Sequence, residues 1–555
     1  MVKFILKNLP LINYLLMFVL INGCAAKSDD SKVEKKAPLF NNLGSHVHEI
    51  TTYSDLAQKY FNQGLILSYG FNHAEAKRSF TEAARYDSNC AMAYWGIALV
   101  LGSNINVPMN NANIPEAYYA VQKAISLSEN VSEKEKDYIM ALSERYSKDS
   151  LADRSSLDIA YADAMRKLAK KYPDDLDAVT LFAESLLDLH PWDFWEKNGT
   201  AKPWTKEIVT ILENILAKDP NHPGANHFYI HAVEASKNPE KALNSANKLI
   251  NLVPGAGHLV HMPSHIYLRV GDYNKGIYAN EKATAADESY IDQCHAQGVY
   301  PLAYVPHNHH FLWTCATLDG RRNLAIESVK DLLMHTDQEK MHHKPFGRLQ
   351  QYYSVIYISY VRFGMWDEIL KEEEPDLPFL KSFWHYARCY AYIGKNQLSK
   401  AEQELGKLKT VMKDKAIKEI RLRDVRNTTE ELLDIASEIL KGEIEAKRKN
   451  YSSSIAHLTK ALEIEDQLYY REPPDWFFPV RHSLGAVYLD AGMLKEAEKV
   501  YREDLENFPE NGWSLFGLEK SLRAQGKNKE ADEIQKQFVE AWSEADIKIS
   551  SSRIL

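Results

Sequence analysis

The feature that most limits what this chain can fold into is a recurrence with a period of 34 residues. In 57–90, Gly64 stands at place 8, Ala76 at place 20, Phe80 at place 24 and Ala83 at place 27. In 478–511, Gly492, Ala497, Tyr501 and Pro509 fall at places 15, 20, 24 and 32. Windows opening at 223, 257, 306 and 512 put Ala242, Pro254, Gly271, Ala283, Gly320, Ala325, Gly526 and Ala531 at corresponding places. Small residues at fixed places let two helices approach closely, glycine opens the turn between them, and proline ends the second. A unit of this size cannot bury its apolar face alone, so the units must stack. The pattern predicts an all-helical array in place of one closed core for 555 residues.

This spacing resembles the tetratricopeptide repeat (TPR), and roughly ten or eleven units cover almost the whole mature chain. The segments HPGANHFYIHAVEAS and HMPSHIYLR resemble a bacterial lipoprotein branch of that family. The resemblance implies an all-α solenoid, a right-handed superhelix whose first helices line a concave groove. It carries no established reaction with it. N-terminal units are expected over 51–175, central units over 176–320 and C-terminal units over 321–545, with a tail at 546–555.

The N-terminus has a different character. Lys3 and Lys7 precede an apolar run, Leu11 to Ile21, too short for a membrane span. The run closes on Ile21-Asn22-Gly23-Cys24, which resembles a lipobox. The resemblance implies removal of residues 1–23, lipidation of Cys24, and an outer-membrane lipoprotein on the periplasmic or cell-surface face. Residues 24–50 read as a polar tether. The other cysteines, Cys90, Cys294, Cys315 and Cys389, have no CxxC spacing and read as buried thiols. Formal net charge is −9 without a basic stripe, which disfavours nucleic acid.

The repeat register maps the groove. His227 and His231 lie four apart on one first helix; His261 and His265 repeat them one unit later. Side chains four apart share a helix face, so both pairs point into the groove. His310 falls at the same place in the next unit, and Glu234 follows His231. Five histidines, His227, His231, His261, His265 and His310, are therefore expected to converge on a metal ion. Zinc or iron suits imidazole with carboxylate, and copper is compatible with it. Affinity should weaken below about pH 6.5, where unperturbed imidazoles protonate. Glu184, Asp188 and Glu234 are the candidates for a catalytic base or acid. His258, Arg269, His307, Trp192 and Tyr304 are expected to line the ligand groove. Two insertions, 190–203 and 287–305, should wall it.

Two functions fit these residues. One is a scaffold whose groove binds a protein, a peptide or a small molecule, with a histidine-rich metal site. The other is a metal-dependent hydrolase or oxidoreductase acting on a small molecule or glycan fragment. The sequence leaves open whether the chain is an enzyme.

Overall fold

The computed structural model describes residues 37–294, 298–422 and 426–555. The signal segment and Cys24 lie outside the described residues. Among those residues every regular element is a helix, with isolated bridges only at Asn104–Val107 and Trp195–Ala201. The chain is an all-α solenoid of TPR type. No helix among the described residues is long and apolar enough to cross a membrane.

The repeat places have a direct steric cause. The Phe80 ring sits between Gly64 of its own first helix and Gly96 of the next unit. A Cβ on either glycine would come within 2.7 Å or 2.4 Å of that ring. Tyr501 repeats the arrangement at the other end of the chain, between Gly485 and Gly517. In each of these two places one buried aromatic thus locks two first helices together, which needs glycine on both sides. The expected thiols Cys90, Cys294, Cys315 and Cys389 are all buried and free.

The two ends of the array both return to its centre. The first unit reaches 223–305: Tyr69 O accepts from His227, Arg78 donates to Cys294 O and Tyr290 donates to Asn72. The last units reach 269–323: Arg269 donates to Asn507 O, Tyr273 to Pro509 O and Trp513 Nε1 to Thr317 O. Asp546 accepts from the backbone of Arg322 and Asn323 at 2.8 Å each. Periodicity alone does not encode these contacts, because it describes neighbours along the stack.

Three expectations are corrected. Residues 37–50, assigned to the polar tether, are a packed strap: Ala37, Leu43 and His48 are buried, and Phe40 N donates to Gln63 Oε1 at 2.8 Å. The tail 546–555 is packed too, with Ser552 buried and Arg553 paired with Glu443 and Asp490. Residues 287–305 are not an inserted loop. The helix Tyr273–Cys294 runs on through Asp287, and the next helix already starts at Tyr300.

Candidate metal centre

The site is built by α1 (Asp55–Tyr69), α2 (Leu176–Leu189), α3 (Pro223–Val233), α4 (Gly257–His261), α5 (Pro263–Val270), α6 (Tyr273–Cys294) and α7 (Tyr300–Leu318). The start of α3 is fixed twice. His222 caps it by accepting from Ala225 N, and Pro223 occupies the first turn, where its missing N–H costs nothing. His227 and His231 then fall on one face of α3. Between α4 and α5, Pro263 interrupts the backbone ladder at Met262. The break lets His258 and His261 serve different neighbours although they lie three residues apart.

Six imidazoles meet as two trios. His227, His231 and His258 have ligand nitrogens within 4.8 Å of one another, and so do His261, His265 and His307. All six are buried. The trios touch: His231 and His265 rings lie 5.7 Å apart, and His258 and His261 rings 5.9 Å apart.

Four of the rings are held by their δ nitrogens. His227 Nδ1 donates to Tyr69 O at 2.6 Å. His231 Nδ1 and His265 Nδ1 donate to the two oxygens of Glu234, at 2.8 and 2.6 Å. His261 Nδ1 donates to Asn280 Oδ1 at 2.6 Å, and Asn280 is oriented by its own bond to Gly276 O. With the proton on Nδ1, the lone pair sits on Nε2 and faces the trio. This is how metal-binding imidazoles are oriented. His227 Nε2 and both ring nitrogens of His258 are buried without a hydrogen-bond partner, a costly state for polar atoms. His261 Nε2 and His265 Nε2 stand 3.0 Å apart. Two bare lone pairs at that distance repel, and a proton or a metal ion between them removes the repulsion.

Electrostatics favour ligation. Burial pushes the pKa of His227, His258 and His261 well below the ordinary value, and neighbouring imidazoles push it further. These three rings stay neutral well below pH 6.5. Burial alone would raise the Glu234 pKa; His265 and His231 outweigh it and hold the carboxylate ionised. Glu234 therefore acts behind the imidazoles as an anchoring acceptor.

Aromatic side chains close the site. Phe71 lies 4.6 Å from the His227 ring, Trp192 5.1 Å from His231, Tyr304 4.6 Å from His258, and Phe311 4.5 Å from His265. Phe71 and Trp192 have left-handed backbones, with φ of 55° and 59°. Each such residue costs on the order of 1 kcal/mol, and both side chains pack on His231. Strain held at one spot by two unrelated turns is a mark of a functional site.

A cavity of about 1170 Å³ opens on His231 and Arg269. Its walls are the 190–204 segment and a second segment, 466–481. The first is pinned by its tryptophans: Trp192 Nε1 donates to Asn106, Trp195 Nε1 to Ala232 O and Trp204 Nε1 to Asp193 O. Lys197 donates to Gln467 O, so the two walls meet, and Arg426 donates to Trp192 O beside them. Tyr470 donates to Glu472 and lies 3.3 Å from Glu234 Oε2.

Against expectation, His310 joins neither trio. It stacks on Trp313 at 5.4 Å and meets Tyr352 at 5.5 Å. On α7, positions 304, 307 and 311 form the stripe that faces the trios, and position 310 lies roughly 60° round from 307. His258 and His307, expected as groove lining, join the trios instead. Trp192, Tyr304 and Arg269 do line the site. Glu184 and Asp188 on α2 belong elsewhere. Asp188 pairs with Arg145 at 2.8 Å, and Glu184 stands in the field of both. Burial raises the pKa of Asp188 to about 7 and of Glu184 well above the usual range.

Several contributors carry no signature in the sequence. Tyr69 and Phe71 come from the turn of a distant unit. Asn280 supports His261 from a second helix. Asp287 accepts from Tyr300 and Asn308, fixing α7, while the Tyr300 hydroxyl accepts from His258 N. The 466–481 wall was visible only as an aromatic, proline-rich break, YYREPPDWFFP, between repeats.

No family model and no curated protein matches this chain. Among solved structures it is similar to a human IFIT1 dimer with m7Gppp-AAAA, with TM-score 0.31, 14% identity, and 88% of this chain and 91% of that chain covered. It is similar also to the APC/C hetero-tetramer Cut9-Hcn1 (0.30, 12%, 87% and 76%) and to Naa15/Naa10 bound to HypK-THB (0.24, 12%, 88% and 90%). Likenesses this low carry no inference about ligand or partner.

Proposed function

We propose that this chain is a lipid-anchored, metal-binding helical-repeat protein that presents its ion to a small ligand in the adjoining cavity. One observation carries the reading: four buried imidazoles are tied by Nδ1 to fixed oxygens while their ε nitrogens converge. His231 belongs both to a trio and to the cavity wall, so ion and ligand meet there. A metal-dependent hydrolase or oxidoreductase fits that placement. An extended peptide along the groove fits less well, because Lys197 links the two segments that wall the cavity. Partner proteins would dock on other faces of the scaffold.

The test is the transition-metal content of the purified mature protein after reconstitution. Wild type and His457→Ala should retain metal, because His457 only pairs with Glu438. His231→Ala and His265→Ala should each lose far more metal than His457→Ala while keeping wild-type helicity. Wild type without metal would overturn the reading. The anchor has its own test: Cys24→Ser should release the chain from the membrane fraction, and normal processing with retained membrane attachment would refute lipidation.

A further inference from the structure

The metal reading leaves open how many ions the six imidazoles hold and of what charge. The geometry answers both. Each trio is complete as a three-nitrogen set, so neither needs to borrow a ring from the other. Their ligands are nevertheless in contact through His231–His265 and His258–His261. Glu234 spans the two, one oxygen on a ring of each trio. An ion in one trio is therefore the neighbour of an ion in the other.

Charge then limits the metal. The carboxylates at the site are Glu234 and, through Tyr470, Glu472. Against them stand Arg269, whose Nε bonds Glu234 O at 3.1 Å, and Arg348, 3.3 Å from His307 Nδ1. Among the side chains bonded into the trios, two carboxylates stand against two guanidiniums, and the six ligands are neutral imidazoles. Two divalent ions would bring four positive charges among buried ligands that carry none of the opposite sign. Burying charge without a counterion costs several kcal/mol per ion. Two monovalent ions halve that charge. Among the metals that imidazole suits, zinc, copper, iron and nickel, only copper has an ordinary monovalent state. Phe71, Phe311, Tyr304 and Trp192 pack against the rings and lower the local polarity, which sharpens the penalty for high charge.

We propose that the two histidine trios are one dinuclear centre that takes a pair of copper ions, one per trio, beside the cavity. This rests on the metal reading above, and the experiment separates the two. The full mature chain is loaded with copper(I), with zinc, and with both in competition, and its metal content is measured. Two copper ions per chain are expected, with copper favoured over zinc in competition. His258→Ala and His227→Ala, which open the first trio, and His307→Ala, which opens the second, should each hold one. Circular dichroism screens out misfolded variants, and three variants across two trios keep the test open if one fails to fold. One copper(I) ion in wild type, or single-trio variants that still hold two, overturns the pair and leaves metal binding standing. Preference for zinc overturns copper. No metal at all removes the metal reading itself.

Discussion

Two buried carboxylates in this chain, Glu234 and Asp177, each gather histidines, and the two clusters are built in opposite senses. Asp177, near the start of α2, lies at the middle of its cluster. It accepts from His46 Nε2 at 2.9 Å, His48 Nδ1 at 2.8 Å and Tyr69 OH at 2.6 Å, with His222 Nε2 3.2 Å away. Each ring turns one nitrogen to the acid. Glu234 lies behind its cluster. It takes the δ protons of His231 and His265 and turns their ε nitrogens towards one another. Residue types and burial are nearly the same. What differs is where the ring nitrogens point: at the acid in one cluster, at one another in the other. Asp177 therefore closes a structural joint, tying the 37–50 strap to the repeats, whereas Glu234 prepares a ligand set.

The largest expected effect tests the structural half. Asp177→Ala removes the shared acceptor of two strap histidines and Tyr69, and leaves buried donors unpaired. Breaking a buried pair in this way costs about 3–5 kcal/mol, to be read in a denaturant titration. Metal content per folded chain should stay at the wild-type level. Loss of metal with unchanged stability would show that the Asp177 cluster is itself an ion site and would dissolve the comparison.

The matching change in the other cluster should act the other way round. Glu234→Gln keeps the size of the side chain but can no longer accept from both imidazoles on two charged oxygens. Losing such an outer partner typically costs about 10–100-fold in metal affinity. The expected readout is that drop in a competition titration, with a smaller stability change than Asp177→Ala gives. Unchanged affinity would mean that Glu234 does not orient the ligands.

The two clusters were not equally legible in the sequence. The repeat register put His227, His231, His261 and His265 on one surface, because side-chain direction within a helix follows from spacing alone. It misassigned His310 and undervalued His307, because α7 begins before the repeat boundary and turns a different stripe inward. It missed Phe71, which reaches the trios only because the first unit returns to the centre of the array. The Asp177 cluster was invisible for a related reason. His46 and His48 sit in a segment without periodicity, which reads as tether, and only tertiary packing joins them to Asp177 and His222. His385 and His457, which stand alone in the sequence, each face a single carboxylate, Glu404 and Glu438.

The smallest effect is one of pH, and its sign distinguishes the clusters. Burial pulls the His48 pKa down, but the hydrogen bond and charge of Asp177, with Asp175 behind it, outweigh burial and Lys134 and set it above the ordinary value. Burial would raise Asp177; the bonds from His222, His46 and His48 hold it well below the usual carboxylate range instead. A raised histidine contributes stability fully below its unfolded pKa of about 6.5 and loses it as pH rises through the folded-state value. A depressed aspartate contributes above about 3.9 and loses it as pH falls through its folded-state value. The strap should therefore be held most firmly between about pH 4 and pH 6.5 and loosen above that window. In the metal-free protein His227, His258 and His261 act oppositely, since their lowered pKa values cost stability as pH falls below about 6.5. The opposing terms blur any whole-molecule melting curve, so the measurement must be local. Protease cleavage within 37–50 should accelerate from pH 6 to pH 9 in wild type, relative to a matched unfolded peptide that corrects for the protease's own pH dependence. His48→Gln, which cannot titrate, should flatten that rise. A rise that persists in His48→Gln would assign the loosening to some other group and remove the opposition in sign between the two clusters.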